Sequence, residues 1–293
     1  MSNKIKLLIV IIIFLIASQW LAVRMVYKHK LNGTPAVVLA GLYNLKAGTI
    51  DEIDQSFVIS LSEYLKHREF VLEYIIKAGD PAMSESDADS MVWNRLIKNT
   101  WLNKLAEEND LSINDEEFDA YLQEVPDLDS FKQEVETEMG VSFDDYSELM
   151  IKPLMLETKV YDHLIFNFGD IEGVNKIQAA YGELEGGSDF LSVAQEYSDD
   201  MTYVDNTLWV SEDELSIMYD PVRDLKEGEF SKIVHIPGSY GTAPGGYMIW
   251  FVESSLEEEG KDSKELRGIF VAAKGVDEFL IDYLEQVNIN KLY

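Results

Sequence analysis

Side chains that commonly carry out chemistry are sparse in this chain of 293 residues. It contains no cysteine and four histidines, which are His29, His67, His163 and His235. The lack of cysteine excludes disulfides, thiolate nucleophiles and zinc–thiolate centres. The histidines also lack the short spacings that bring two ligands to one metal ion. We therefore expect no bound metal.

Motifs for other kinds of chemistry are missing as well. The chain has no G-x-S-x-G motif, no phosphate-binding loop and no acidic run with the spacing of a calcium loop. Its glycine-rich run GSYGTAPGG at 238–246 contains no lysine. This run predicts a loop between strands rather than a nucleotide cradle. We expect no cofactor.

Acidic side chains dominate the charge of the chain. The formal net charge is −30, from 24 Lys and Arg against 54 Asp and Glu. Residues 1–30 hold five of the cations and no acid, which leaves residues 31–293 with 19 cations, 54 acids and a net charge of −35. A field of this sign repels phosphate groups. We expect a solubilising acidic surface and exclude nucleic acid as a partner.

An apolar run near the N-terminus is the strongest physical signal. Residues 5–23 read IKLLIVIIIFLIASQWLAV, and a helix of this length spans about 30 Å of hydrocarbon. Trp20 and Tyr27 stand where interface anchors are common. We expect residues 1–30 to anchor a single-pass membrane protein, with a cleaved signal peptide as the alternative. Cations on both sides balance, so they leave the orientation open.

Periodic apolar residues predict a helical domain over residues 31–165. A short strand is expected at residues 36–40, followed by long helices. Asn114 and Ser142 have the residue types and positions of helix caps. Pro153 is expected to kink the helix that starts after Ser142.

Short helices alternate with strands over residues 170–293. Helices are predicted at 175–184 and 189–197, and strands at 207–210, 232–236, 247–252 and 266–272. This pattern indicates an α+β domain. The expected fold class is therefore α+β, with a transmembrane helix, a helical domain and this α+β domain in chain order.

Three blocks in the last domain carry a likeness to a known family. They read GSDFLSVAQEYSDD at 187–200, LKEGEFS at 225–231 and GYMI at 246–249. They resemble the parvulin-type (PpiC, rotamase) peptidyl-prolyl isomerases. The pattern of that family is G-x-D-F-x-x-(hydrophobic)-A-x-x-x-S-x-D, then L-x-x-G-(D/E)-x-S, then G-(Y/F)-H-I. The likeness predicts a parvulin-like domain.

The resemblance implies a proline pocket and a catalytic acid. Isomerisation of a prolyl bond lowers a rotation barrier of about 18–20 kcal/mol, which calls for an apolar pocket and polar groups that hold the twisted amide. The pocket maps onto Leu208, Leu215 and Tyr219, and the catalytic acid maps onto Asp200. The alternative for Asp200 is a loop aspartate that accepts a hydrogen bond from its own backbone.

Both histidines of the family pattern are replaced in this chain. Their positions in the substrate-binding site map onto Met248 and Gly268, neither of which has a ring nitrogen. We therefore expect a binding domain that has lost its catalytic histidines. An active isomerase that uses Asp200, or His163 folded back into the site, is the alternative.

The order of the strands also departs from the family. Its first strand normally precedes the first helix and carries a histidine in an R-H-I-L-V context. The best match here, LRGIFV at 266–271, follows the last block. We expect the C-terminus to supply this strand beside residues 247–252. The rival is HLIF at 163–166, in the ordinary order.

Three segments of the helical region carry a second likeness. They read NRLIKN at 94–99, DLSINDEEF at 110–118 and VSFDDY at 141–146. They are similar to the N-terminal chaperone domain of the SurA and PrsA class of exported foldases. This implies a membrane-anchored, extracytoplasmic folding factor whose partners are unfolded exported polypeptides and proline-containing segments. A scaffold that binds one fixed partner is a further alternative.

Overall fold

A computed structural model describes residues 16–28, 33–78, 84–167, 169–211, 216–238, 245–258 and 261–293. The chain divides into two units. The first comprises Met1–Leu156 and Leu280–Tyr293, and the second comprises Glu157–Phe279. The last residues of the chain, which the sequence analysis assigned to the second domain, thus belong to the first unit.

The described part of the chain contains both helices and strands, so the α+β class is confirmed. The α-helices are α1 Gly33–Leu42, α2 Leu61–Ala78, α3 Glu85–Glu108, α4 Asp115–Glu124, α5 Leu128–Glu134, α6 Phe143–Tyr146, α7 Lys152–Phe166, α8 Ile171–Glu185, α9 Phe190–Tyr197, α10 Thr202–Asp205, α11 Ser216–Tyr219 and α12 Val276–Leu284. The strands are β1 Lys46–Asp51, β2 Ser56–Ser60, β3 Leu208–Ser211, β4 Val234–Ile236, β5 Gly246–Glu258, β6 Lys261–Ala272 and β7 Asn288–Lys291.

The expected membrane anchor is wrong for the part of it that the structure describes. Among the described residues, no helix has both the length and the apolar character needed to cross a membrane. Residues 16–23 are helical and continue into a π-helical turn, Arg24–Lys28. Val26 is fully buried in the core of the first unit, so this end of the predicted anchor packs against protein. Residues 5–15 of the predicted segment lie outside the described residues.

The strand expected at residues 36–40 is also wrong, because these residues lie in α1. The apolar run there is too short for its period to separate a strand from a helix. Pro35 stands in the first turn of α1, where its missing N–H has no helical partner to lose. Ala36 and Ala40, four residues apart, are both buried. Helical spacing thus decides which side of this segment faces the core.

The first unit contains a three-stranded antiparallel sheet of order β2-β1-β7. Strand β7 comes from the C-terminus and places Lys291 opposite Gly48. A Cβ atom at Gly48 would lie 2.4 Å from the carbonyl oxygen of Asn290 and 2.8 Å from the Trp93 ring. Glycine is therefore required for this close approach. The sequence analysis predicted none of these three short strands.

Helices α2 and α3 of the first unit are joined by charged side chains. Arg68 of α2 donates to Asp89 and Glu85 of α3 at 2.6 and 2.8 Å. Helix α3 begins at a capping box, in which Ser84 accepts from the Asp87 N–H and the Asp87 carboxylate accepts from the Ser84 N–H. The run Gly-Asp-Pro at 79–81 predicts a break between these helices, and it lies outside the described residues.

The two predicted helix caps are confirmed. Asn114 accepts a hydrogen bond from the N–H of Glu117, whose carboxylate accepts from the N–H of Asn114. Ser142 accepts from the N–H of Asp145. In each cap, the side chain accepts a hydrogen bond from a backbone N–H that has no partner inside its helix. These caps set where α4 and α6 begin.

The helical run after Ser142 changes type just before Pro153, where the kink was predicted. A π-helical turn, Ser147–Ile151, separates α6 from α7. In a regular α-helix the N–H of residue 153 would bond to the carbonyl of Leu149, but proline has no N–H. Arg95 of α3 donates to that carbonyl instead. Because residue 153 has no N–H, the carbonyl of Leu149 is available to accept from Arg95, and this hydrogen bond connects the helical run to α3.

The second unit contains a four-stranded antiparallel sheet of order β3-β6-β5-β4. In its central hairpin Tyr247 lies opposite Val271, and Ile249 lies opposite Ile269. The predicted pairing of residues 247–252 with residues 266–271 is therefore present. Residues 163–166, the rival segment, lie at the end of α7.

The two faces of the central hairpin pack differently. Alternate residues of a strand point to opposite faces of a sheet. Tyr247, Ile249 and Ile269 pack with α8 and α9, both of which were predicted within a few residues of their ends. Met248 and Trp250 lie in a separate apolar cluster. That second cluster also contains Leu208 and Tyr219, two of the predicted pocket residues.

Candidate functional site

The positions of the two replaced histidines are neighbours on the sheet. Trp250 of β5 lies opposite Gly268 of β6, and Met248 lies opposite Phe270. These residues share one face, because each pair lies directly across the strands and residues two apart point the same way. The structure therefore brings Met248 and Gly268 together, as the resemblance predicts.

Side chains fill the space beside Gly268. A Cβ atom there would lie 2.9 Å from Sδ of Met248 and 3.0 Å from Cζ3 of Trp250. Met248 is 2% exposed and Trp250 is fully buried. Two imidazole rings at positions 248 and 268 would need this volume. Packing occupies the place where the family holds polar groups.

The pocket residues that the structure describes lie in the same apolar cluster. Leu208 is partly buried and Tyr219 is 2% exposed, and both belong to the cluster around Met248 and Trp250. The Tyr219 hydroxyl donates to Asp262 Oδ2 at 2.8 Å. Leu215, the third predicted pocket residue, lies outside the described residues. The cluster is core rather than a lined pocket.

Asp200 forms a local turn. Its Oδ1 atom accepts a hydrogen bond from the backbone N–H of Thr202 at 2.8 Å, which is an Asx turn at the start of α10. This is the geometry of a loop aspartate that accepts a hydrogen bond from its own backbone, which is the alternative to a catalytic role for Asp200. The hydrogen bond satisfies a backbone donor at the helix start.

The residues before Asp200 attach its loop to the edge of β6. The Ser198 hydroxyl accepts from the N–H of Phe270 at 3.1 Å, and Asp199 Oδ2 accepts from the N–H of Ala272 at 3.0 Å. The other Asp199 oxygen accepts from Lys176 at 2.5 Å. The polar end of the first motif block thus supports the sheet.

The second motif block lies along β5. Gly228, with φ of +83°, donates its N–H to the carbonyl of Val252 at 2.9 Å, and glycine adopts this left-handed conformation without strain. Buried Ser231 accepts the N–H of Trp250 on its hydroxyl at 2.9 Å. The three motif blocks therefore meet around β5 and β6 through backbone hydrogen bonds.

A groove of about 590 Å³ lies within the first unit. Its walls are α2, α3, the loop after α3, and the π-helical turn with the start of α7. The apolar residues that line it are Leu102, Ala106, Leu111, Ile113, Leu149, Pro153 and Leu156. A cleft of this size with mainly apolar walls is typical of a ligand site. Sequence reasoning did not find this groove.

One signal for the groove is visible in the sequence. The lining residues of α3 are Asn99, Leu102, Asn103, Ala106 and Glu107. Their spacing of three and four residues places them on one face of the helix. The same pattern occurs on any helix that faces a core, so the spacing alone does not reveal an open face.

Charged side chains also line the groove. Glu63 and Lys66 belong to α2, Glu107 belongs to α3, and Glu148 and Lys152 come from the third wall. Lys152 and Glu148 form an ion pair at 2.5 Å. An apolar surface bordered by charges of both signs fits a ligand that is itself partly apolar and partly charged.

His67 is a buried polar group of the groove. Its side chain lines the cavity, the residue is 4% exposed, and its Nδ1 atom has no hydrogen-bond partner. Burial, together with the positive charges of Arg95 and Lys66, lowers the pKa of His67 to about 4. The imidazole is therefore neutral at pH 7 and can both donate and accept.

Comparison with known proteins adds no assignment. No protein family, no curated protein and no solved structure matches the chain. Within the described residues, no group of three or more His, Cys, Asp or Glu side chains is arranged to hold a metal ion. The two sites described above are therefore the structural basis for assigning a function.

We predict that Gly268→Ala destabilises the second unit through contact with Met248. The added methyl group would crowd Sδ of Met248 and the Trp250 ring, and overpacking of this kind costs about 1–3 kcal/mol. In a Met248→Ala background the same change should cost about 1 kcal/mol less, because the contact with Sδ is removed while the contact with Trp250 remains. Urea unfolding of the four proteins measures this coupling.

The matched control is Gly182→Ala in α8. A Cβ atom at Gly182 has no neighbour within 4 Å, so this change should raise the unfolding free energy by about 0.5–1 kcal/mol. An equal cost of Gly268→Ala in both backgrounds would show that Met248 does not fill this site.

We also predict that His67 makes the first unit less stable in acid. The pKa of His67 is about 4 when folded, against 6.5 as its ordinary value. Between these values the unfolded state binds more protons, so the unfolding free energy falls as the pH drops from 6.5 to 4, by up to about 3 kcal/mol. Unfolding of wild type and His67→Gln at pH 7 and pH 4.5 isolates this contribution.

The wild type should lose more stability than His67→Gln over this range. His163→Gln, a change in the second unit, controls for the removal of a histidine. If wild type and His67→Gln lose stability in parallel, His67 is not a buried neutral group.

Proposed function

We propose that the protein is a polypeptide-binding folding factor of the chaperone type. The groove of the first unit holds segments of unfolded chains, and the parvulin-like second unit binds without isomerase catalysis. The observation that carries this proposal is the groove of about 590 Å³ with apolar walls and charged residues at its border. The likeness of the helical region to the SurA and PrsA class supports it.

The walls of the groove suit weak binding to many chains. Apolar side chains gain free energy from any apolar partner in proportion to the area removed from water, without demanding one shape. Leu111 and Ile113 are half-buried residues in a loop, and loops adapt more readily than packed helices. Adaptable apolar surface is typical of proteins that accept many partners.

The packing of the second unit supports the loss of catalysis. Prolyl isomerisation needs polar groups beside the rotating amide, and Met248, Trp250 and Gly268 supply none of the side-chain hydrogen bonds of an imidazole pair. Asp200 is engaged with the backbone of Thr202. The parvulin-like architecture remains as a scaffold, because its motif residues hold the sheet together.

The full chain should suppress the aggregation of several unrelated unfolded proteins, and Ile113→Glu should weaken this activity. The substitution places a carboxylate in the apolar wall, and removing that carboxylate from water when a client binds costs free energy. We therefore expect about a tenfold loss in apparent affinity. Light scattering of denatured clients diluted with and without the protein measures the effect.

The control for this change is Ile53→Glu. Ile53 is 95% exposed, so the same substitution there alters charge without touching the groove, and activity should remain at the level of wild type. Suppression that survives Ile113→Glu unchanged would remove the groove from the function. Binding to one client alone would instead favour a scaffold.

The full chain should not accelerate cis–trans isomerisation of a proline tetrapeptide in a protease-coupled assay. Asp200→Ala should leave the rate unchanged and cost about 1 kcal/mol of stability, as loss of a capping side chain does. Acceleration by the wild type that Asp200→Ala abolishes would contradict the proposal and make the second unit an enzyme without histidines.

A further inference from the structure

The segment from the end of α3 to the start of α4 carries acidic residues on both sides of two apolar residues that line the groove. Residues 107–117 contain six acids and no cation, in the order EENDLSINDEE. Leu111 and Ile113, the apolar residues in this run, line the groove. The acids before and after them are exposed or partly exposed. One side of the groove therefore combines apolar contact with a negative potential.

The buried imidazole of His67 is an independent sign of a polar ligand. Its residue is 4% exposed and its Nδ1 atom has no partner, although the side chain lines the groove. A buried polar atom without a hydrogen bond is costly, so a partner supplied by a ligand recovers free energy. A purely apolar ligand would leave this cost in place.

We propose that the groove binds extended polypeptide segments in which apolar residues are flanked by Lys or Arg, and that His67 hydrogen bonds to the backbone of the bound segment. This inference rests on the proposed function and adds to it the class of segment that is bound. His67 is then a specificity-determining residue at the buried side of the groove.

The chemistry of an unfolded segment matches these groups. Its backbone N–H and C=O groups need partners once they leave water, and a neutral imidazole offers one donor and one acceptor. Its lysine or arginine side chains reach the exposed carboxylates of Glu107 and the following loop. The net charge of −30 also speeds the approach of cationic segments at low salt.

The test measures binding of three labelled peptides to the full chain by fluorescence anisotropy. KSLGLSK presents leucines between lysines, ESLGLSE reverses the flanking charge, and KSSGSSK lacks the leucines. KSLGLSK should bind about tenfold more tightly than ESLGLSE and should weaken as salt is added. KSSGSSK should bind at least tenfold more weakly than KSLGLSK, because the apolar contact is missing.

Two pairs of variants separate the groups involved. Glu107→Lys should lower affinity for KSLGLSK about fivefold, whereas Glu196→Lys, an equal charge change on α9 of the second unit, should not. His67→Leu should lower affinity about tenfold, whereas His67→Gln, which keeps a donor and an acceptor, should stay within about twofold of wild type. Circular dichroism checks that each variant is folded.

The outcomes distinguish an error in the class of bound segment from an error in the proposed function. Equal affinity for KSLGLSK and ESLGLSE overturns the preference for cationic flanks, and unchanged binding by folded His67→Leu overturns the role of His67. If the wild type still suppresses aggregation in either case, the proposed function stands and only the class of segment is wrong. If no peptide binds and aggregation is not suppressed, both fail.

Discussion

The ladder between β5 and β6 is the interaction on which the second unit depends. It runs from the pair Gly246 and Ala272 to the pair Glu258 and Lys261. Between Gly246 and Val252 the register is unbroken, and because neighbouring side chains point to opposite faces, the residues of this part of β5 alternate between the two apolar clusters. A shift by a single residue would exchange the two sets. The helices, the motif loops and the outer strands all attach to this hairpin.

The same register explains why the motif residues serve structure. At the edge of β6 beyond β3, the N–H groups of Phe270 and Ala272 donate to Ser198 and Asp199. On β5, the N–H of Trp250 donates to Ser231, and the carbonyl of Val252 accepts from the N–H of Gly228. These bonds satisfy backbone groups that would otherwise be buried without partners. The residues of the first two motif blocks thus hold the sheet together through hydrogen bonds to its backbone.

The first unit is organised by contacts between distant parts of the chain. Strand β7 returns from the C-terminus to β1, and Arg95 of α3 bonds the carbonyl that Pro153 leaves free. These contacts hold three helical walls around the groove. The side chains that line the groove include charged ones and two apolar residues of the loop after α3. His67 shows the cost of that opening, since it is buried there without a partner for Nδ1.

The sequence by itself determined the features that arise from local physics. The caps at Asn114 and Ser142, the disturbance at Pro153, and helices α8 and α9 follow from hydrogen bonds and periodicities within short segments. The pairing of β5 with β6 was predicted instead from the likeness of residues 266–271 to the first strand of the parvulin-type pattern. Only the tertiary structure decided that the apolar run at residues 36–40 is a helix, that β7 joins the first sheet, and that three helices leave a groove around His67. These features depend on which distant surfaces meet, and the local pattern of a segment is the same whether its apolar face meets a core or remains open.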